Sequence, residues 1–274
     1  MIPIRDNIPS RTVPIVNYAV IIACTIVFVL QLGEGRRGGR LIERFGMIPA
    51  RVMHPNRSIE VRQPIRVRTP VGDRLQVATR IMEPSVVATI LTMVTCIFLH
   101  GGWMHFIGNM WFLYIFGDNV EDRFGHFGYL AFYLFAGVVA SGAHLVTNIG
   151  STIPTIGASG AIAGVMGAYL ILYPRAKVLT VLPIFFFFQM IILPAPLYLG
   201  VWFLLQSFQG VSSFGSVESA GVAWWAHIGG FVAGLVLAFL LGNRHHLNPP
   251  VRRVLPNTRH SRSYRLRRGQ YPWE

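Results

Sequence analysis

Charge is scarce in this sequence, and its scarcity argues against a soluble globular domain. Only 13% of the 274 residues are charged, against 53% that are hydrophobic, and the mean hydropathy is +0.49. A soluble domain of this length needs far more charge on its surface. Several apolar runs are long enough to cross a bilayer, which takes about 20 residues of helix. The composition therefore predicts a polytopic helical membrane protein.

Cysteine is almost absent as well. Cys24 and Cys96 are the two cysteines of the chain, and they lie far apart in apolar runs. Two such residues support neither a disulfide framework nor a zinc site. We interpret both as small buried hydrophobic residues.

The net charge of +13 is unevenly distributed along the chain. Eleven arginines lie in 33–83 and eight in the tail after Gly242. Because no basic stripe alternates with aromatic residues on a soluble fold, we expect no nucleic-acid partner. The basic tail is instead expected to bind the anionic lipid of a membrane surface.

The apolar runs predict an all-α bundle of six membrane-spanning helices. In chain order the predicted spans are 13–32, 103–117, 125–148, 157–173, 196–209 and 220–242. The apolar region 84–117 is too long for one crossing and is broken at His100, so 84–99 is expected to be interfacial or re-entrant. The segment 178–193 is short, and it could be a shallow segment, part of a long connection or a seventh crossing.

This interpretation divides the chain into an N-terminal segment 1–12, a membrane domain 13–242 with an external loop 33–83, and a basic tail 243–274. Basic residues in short loops favour the cytoplasmic side. The rule places both termini in the cytoplasm, although the arginines of the external loop depart from it. That loop could form a small subdomain or lie along the membrane. We expect a multi-pass protein of a bacterial cytoplasmic membrane.

Four polar residues stand out in the predicted spans, because polar groups inside a membrane are costly. They are His105, Asn109, Ser159 and His227. In the six-span topology each lies near the outer start of its span, roughly 5–15 Å below the surface at about 1.5 Å per residue. Three distant segments thus bring a hydroxyl, an imidazole and further hydrogen-bond donors to one depth.

This combination has the chemistry of a serine hydrolase. A serine hydroxyl becomes a good nucleophile when a base takes its proton, and histidine is the usual base near neutral pH. The predicted spans contain no Asp or Glu, so the sequence predicts a Ser159–His227 dyad without a third member. His105 and Asn109 share a helix face and are candidate donors to an oxyanion, together with the backbone N–H of Ser159.

Glycines surround the two candidate catalytic residues. Gly160 and Gly164 form a small-xxx-small face on the fourth span, and Gly230 and Gly234 form another on the sixth. Such faces let helix backbones approach closely in lipid. Gly157 permits an unusual backbone conformation just before the serine.

Each residue taken alone has a structural interpretation. Ser159 alone would more often pack helices, and His227 could bond a backbone carbonyl. His100 and His105 are spaced unsuitably for one helix face, and no carboxylate or cysteine completes a set, so no metal site is predicted. Ala161 breaks the G-x-S-x-G elbow of soluble hydrolases. The prediction rests on the conjunction of these residues.

Three stretches resemble the signature sequences of the rhomboid family of intramembrane serine proteases. They are HGGWMHFIGNMWFLYIFG (100–117), GASGAIAGVMGAY (157–169) and WWAHIGGFVAGL (224–235), and the resemblance extends over 84–242. It implies that Ser159 is the nucleophile and His227 the base, with His105 and Asn109 lining the oxyanion hole. It also implies cleavage of transmembrane proteins near their outer ends, at small residues beside helix-destabilising sequence, without metal or cofactor.

Two features depart from the family pattern. Many members stack an aromatic residue on the histidine from the position that Ala163 occupies here, so Trp224, Trp225 or an aromatic residue of the fifth span would have to substitute. The region 33–99 also lacks the Trp-Arg pair of some members.

A second hypothesis is a catalytically inactive rhomboid-like protein that binds transmembrane clients. A pure binder has no need of both Ser159 and His227, which argues against it. A small transporter lacks support, because the sequence shows no inverted repeat and no intramembrane carboxylate.

Overall fold

The computed structural model describes residues 1–34, 39–69, 72–184, 187–212 and 223–241. Eight α-helices and five β-strands occur in these ranges. They are β1 (Ile2–Asp6), α1 (Ile15–Gly33), α2 (Arg40–Phe45), α3 (Pro49–Met53), β2 (Ile59–Thr69), β3 (Gly72–Met82), α4 (Val86–Thr95), α5 (Trp103–Thr147), α6 (Ser159–Leu172), β4 (Lys177–Ile184), β5 (Phe187–Pro194), α7 (Ala195–Ser212) and α8 (Trp224–Leu241). The predicted basic tail 243–274 lies outside the described residues.

Three of the described helices, α1, α5 and α8, are long and apolar enough to cross a membrane. α6 is a shorter apolar helix, and α4 with the 3₁₀ turn that follows it (Val86–Phe98) is another. α5 has 45 residues and leaves helical geometry at Gly125, where φ is 70° and ψ is 165°. It therefore consists of two helices that meet at a kink. The first continues past residue 117, where the sequence predicted its end.

The protein is mostly helical, but the all-α prediction is wrong in the N-terminal segment and in two connections. β2 and β3 form an antiparallel hairpin within the loop 33–83, and β1, β4 and β5 form an antiparallel sheet in the order β1-β4-β5. The segment 178–193 is therefore a hairpin, with Lys177 paired to Pro194 and Ile184 to Phe187. Its β-branched and aromatic residues suit a strand.

Acidic residues near the kink of α5 hold the N-terminal segment in place. The Glu121 carboxylate accepts hydrogen bonds from the backbone N–H groups of Val16 (3.0 Å) and Asn17 (2.7 Å) in the first turn of α1. These groups have no partner within their own helix. Asp122 accepts a hydrogen bond from the Arg11 side chain at 3.0 Å. These contacts tie the N-terminal segment and the start of α1 to the part of α5 that follows the predicted span.

Asp6 joins the three-stranded sheet to the helices. Its carboxylate accepts hydrogen bonds from Tyr169 near the end of α6 and, at 2.9 Å, from the Asn119 amide of α5. Burial raises the pKa of this carboxyl group to about 7, against a smaller lowering by the Tyr169 hydrogen bond. Burial thus disfavours the charged form, and the two hydrogen bonds offset part of that cost.

Glycines bring α6 and α8 into backbone contact. A Cβ atom on Gly230 would lie 1.9 Å from the carbonyl oxygen of Gly160. One on Gly234 would lie 1.9 Å from the carbonyl oxygen of Gly164. These distances leave no space for a side chain, so the two helices meet along four glycines. The contact places the start of α6 beside the start of α8.

We predict that Gly234→Ala forces α6 and α8 apart and lowers stability. The added methyl group would collide with a backbone carbonyl, which cannot rotate away, and overpacking of this kind costs about 1–3 kcal/mol. The midpoint of thermal unfolding in detergent measures the effect. Gly142→Ala in α5 is the matched control, because its Cβ would meet nothing within 4 Å. Equal midpoints for the two variants would contradict the prediction.

Candidate active site

Ser159 is the first residue of α6, and the turn before it requires glycine. Gly157 has a φ of 129°, which side chains of L-residues rarely allow. A Cβ at Gly157 would also lie 2.7 Å from the imidazole of His105 and 3.5 Å from Ser159 Oγ. The Gly157 N–H donates a 2.9 Å hydrogen bond to the carbonyl of Cys96. The turn therefore places the serine hydroxyl beside His105.

His227 lies in the first turn of α8 between two polar partners. Its Nε2 is 2.7 Å from Ser159 Oγ, and its Nδ1 is 2.5 Å from Gln206 Oε1. An amide oxygen can only accept, so Nδ1 carries the ring proton in a neutral imidazole. Nε2 then presents its lone pair to the hydroxyl of Ser159. This is the tautomer that a general base requires.

The sequence interpretation missed Gln206, because it looked for a carboxylate as the third member. Gln206 lies in α7, within the predicted fifth span 196–209. The available signal was a single amide inside an otherwise apolar run, LYLGVWFLLQSF. Polar side chains in such runs usually have a partner on another helix.

Two tryptophans flank the imidazole of His227. The Trp202 ring of α7 lies 6.1 Å from it at an interplanar angle of 38°. The Trp224 ring of α8 lies 6.0 Å away, edge to face at 89°. Ala163 is fully buried in α6. An aromatic residue of the fifth span and Trp224 thus occupy the surroundings of the histidine, as the sequence analysis suggested for a chain with alanine at 163.

His105 and Asn109 project from the first two turns of α5. His105 Nδ1 accepts a 3.3 Å hydrogen bond from the backbone N–H of Gly101, so Nε2 carries the proton and faces the turn at Gly157. Asn109 Nδ2 is buried and has no hydrogen-bond partner among the described residues. Leaving a buried donor unpaired costs about 1–3 kcal/mol. His105 and Asn109 thus bring a protonated Nε2 and an unpaired amide donor to the border of the cavity.

Gln31 fixes the loop in front of α5. Its Nε2 donates to the carbonyl of His100 at 3.0 Å, and its Oε1 accepts from the His100 N–H at 3.0 Å. The end of α1 thereby sets where α5 begins and where His105 lies. The sequence interpretation did not single out Gln31, which is again an amide in an apolar run.

The four predicted residues border one cavity of about 810 Å³. Gln206, Trp202 and Trp224 line it as well. A volume in this range is typical of ligand-binding sites. The structure thus brings Ser159, His227, His105 and Asn109 together around a space that a substrate could occupy.

The fold and the cavity define a helical membrane protein with a serine–histidine pair in its interior. A family model, the Rhomboid domain, matches residues 88–244, which is more than half of the chain. The chain belongs to the rhomboid family.

Curated relatives agree with this assignment. Rhomboid-like protein 11, chloroplastic, of Arabidopsis thaliana is 34% identical over 157 residues, covering 54% of this chain and 51% of its own length. RHOMBOID-like protein 5 of the same plant is 31% identical over 153 residues, covering 54% and 43%. Presenilin-associated rhomboid-like protein A, mitochondrial, of Danio rerio is 32% identical over 108 residues, covering 38% and 28%. The chain spans about half or less of the length of these relatives.

We predict that Gly157→Ala reduces the reactivity of Ser159 toward a fluorophosphonate about tenfold or more. The methyl group would displace His105, and a side chain at this φ adds strain of about 1–3 kcal/mol. Gly150→Ala in the same loop is the control, because its Cβ would meet nothing within 4 Å. Labelling of Gly157→Ala at the rate of that control would refute the role given to the glycine.

Proposed function

We propose that this protein is an intramembrane serine endopeptidase that cleaves transmembrane proteins near the outer membrane face. The observation that carries the proposal is the 2.7 Å contact between Ser159 Oγ and His227 Nε2. Membership of the rhomboid family supports it, since the matched residues 88–244 contain both side chains.

The reaction begins when Ser159 attacks a peptide carbonyl while His227 Nε2 takes its proton. The developing oxyanion accepts hydrogen bonds from His105 Nε2, Asn109 Nδ2 and the backbone N–H groups at the start of α6. The imidazolium then protonates the leaving amine, and an acyl-enzyme remains on Ser159. Water hydrolyses this ester by the same sequence of proton transfers.

The substrate must lose helical structure before it reacts. A helix hides its carbonyl oxygens in its own hydrogen bonds, so attack requires a locally unwound segment. This requirement accounts for the expected preference for small residues and helix-destabilising sequence around the cut. We propose lateral access past α7, which borders the cavity through Trp202 and Gln206.

Six crossings are the topology that best fits this function. They are α1, the two halves of α5, α6, α7 and α8. In this topology Ser159 and His227 lie near the outer face, while the sheet β1-β4-β5 lies at the inner face. The basic residues Arg5, Arg175 and Lys177 are then on the cytoplasmic side with both termini.

The identity of the membrane in which the protein lies stays a prediction. We expect a bacterial cytoplasmic membrane with the basic tail on its anionic lipid. The names of the relatives above refer to chloroplasts and mitochondria.

We predict that Ser159→Ala and His227→Ala each lower the cleavage of a fluorogenic transmembrane substrate in liposomes by at least about 10³-fold. Each change removes one partner of the proton transfer. Ser141→Ala and His54→Ala are the controls, because these residues lie outside the cavity. Undiminished cleavage by Ser159→Ala would overturn the proposed function.

Covalent labelling separates the protease from the client-binding alternative. A fluorophosphonate should label the wild-type protein at Ser159 and leave Ser159→Ala unlabelled. A wild-type protein that neither reacts with the probe nor cleaves substrate would instead support the inactive client binder.

A further inference from the structure

We propose that Gln206 is the positioning residue that makes His227 a base. The proposal rests on the proposed function of the same site. The geometry forms a chain of three groups, with Gln206 Oε1 at 2.5 Å from His227 Nδ1 and Ser159 Oγ at 2.7 Å from His227 Nε2. The three side chains come from α7, α8 and α6. The site is therefore a triad of serine, histidine and glutamine.

The chemistry of an amide suits a site inside a membrane. A carboxylate in this position would be a buried charge, which is expensive in low dielectric unless it is paired. The amide oxygen accepts the Nδ1 proton without carrying a net charge. Without an acceptor at Nδ1, the ring proton can move to Nε2. There it blocks the transfer of the proton from Ser159.

Packing holds the Gln206 amide in place. Trp202 lies one turn earlier on the same face of α7, and its ring contacts both His227 and Phe231. Phe203 stacks on Phe231 with ring centroids 4.5 Å apart. Aromatic contacts with α8 thus fix the part of α7 that carries Gln206, and the hydrogen bond to His227 is preorganised.

Kinetics of Gln206 variants in liposomes test this assignment. Gln206→Ala should lower kcat about 10- to 100-fold and change KM less than about threefold, because the substrate-binding groups remain. Gln206→Glu should restore kcat, and its pH–rate profile should shift to higher pH on the acidic side, because the carboxylate stabilises the imidazolium. Leu204 lies on the same helix, is 67% exposed and does not border the cavity, so Leu204→Ala should match the wild type.

The outcomes distinguish the two proposals. A wild-type kcat in Gln206→Ala overturns the role of Gln206. So does a loss of kcat in Gln206→Ala when Gln206→Glu neither restores kcat nor shifts the pH–rate profile. Activity of Ser159→Ala in the same assay overturns the proposed function instead.

A separate observation concerns the hairpin of β4 and β5. From it we infer that the face of this hairpin that carries Leu179 and Met190 lies at the lipid interface. The register pairs Leu179 with Ile192, Val181 with Met190 and Pro183 with Phe188. Paired residues point to the same face of an antiparallel sheet, so these three pairs form an apolar patch toward the turn of the hairpin. Lys177 of β4, and Arg5 of β1 beside Leu179, lie on the same face at the other end of the patch. Phe188 and Met190 are 74% and 72% exposed. On the opposite face Val178 and Thr180 are fully buried, and only the end near the turn is open, where Phe187 is 74% exposed.

The continuity of the chain with a membrane helix indicates that lipid covers this face. Pro194 ends β5, and Ala195 begins α7 without an intervening loop. Leu197 in the first turn of α7 is also exposed, so exposed apolar residues continue along the chain from the strand into a helix of the membrane domain. A contiguous apolar patch of this kind marks an interaction surface. We place it at the boundary between head groups and acyl chains.

Spin labelling in lipid vesicles tests the position of the sheet. A nitroxide on Met190→Cys, in a protein with Cys24 and Cys96 replaced by Ala, should relax strongly with oxygen and weakly with a polar nickel chelate. A nitroxide on Arg175→Cys, in the exposed turn before β4, should show the reverse. Equal nickel accessibility at both sites would overturn the inference. Dipolar broadening with low accessibility to both reagents would also overturn it, since it indicates a second copy of the chain on this face.

Discussion

The backbone contact between α6 and α8 is the constraint on which the site depends. Lipid gives apolar helices no hydrophobic reason to associate, so close packing has to hold them together. Gly164 and Gly234 allow that packing because neither has a side chain, and dispersion contacts along two bare backbones add up. The first turns of the two helices then lie side by side. Ser159 and His227 come into contact because the glycines that follow them on α6 and α8 are in contact.

Neutral amide side chains make several of the hydrogen bonds that hold the helices and the site in position. Gln31 holds the loop before α5 through two hydrogen bonds to His100, and Gln206 holds His227. Asn109 borders the cavity and has a buried amide donor without a partner among the described residues. Amides combine donors and acceptors without net charge, so they avoid the large desolvation penalty of a buried ion. Carboxylates cluster instead near the kink of α5, where Glu121 and Asp122 bind the N-terminal segment.

The sequence predicts the helices and the central pair of the site for definite physical reasons. Apolar runs and glycine spacing are local signals, and they locate α1, α6 and α8 and the faces by which α6 and α8 meet. The alternating direction of the predicted spans places Ser159 and His227 at one depth in the membrane. The same reasoning misses the sheet, because β1 pairs with a strand about 175 residues later in the chain. It also misses Gln206, because its role depends on a partner in α8.

Gln206 couples the position of α7 to the orientation of His227. The helix that borders the cavity is also the helix that aligns the base, so any outward swing of α7 that stretches the contact beyond about 3.2 Å loses the hydrogen bond to His227. On the proposed mechanism, with entry past α7, the site is therefore least reactive in the state that admits a client. The proposed cleavage would then follow the return of α7, and a client that dissociated before that return would not be cut.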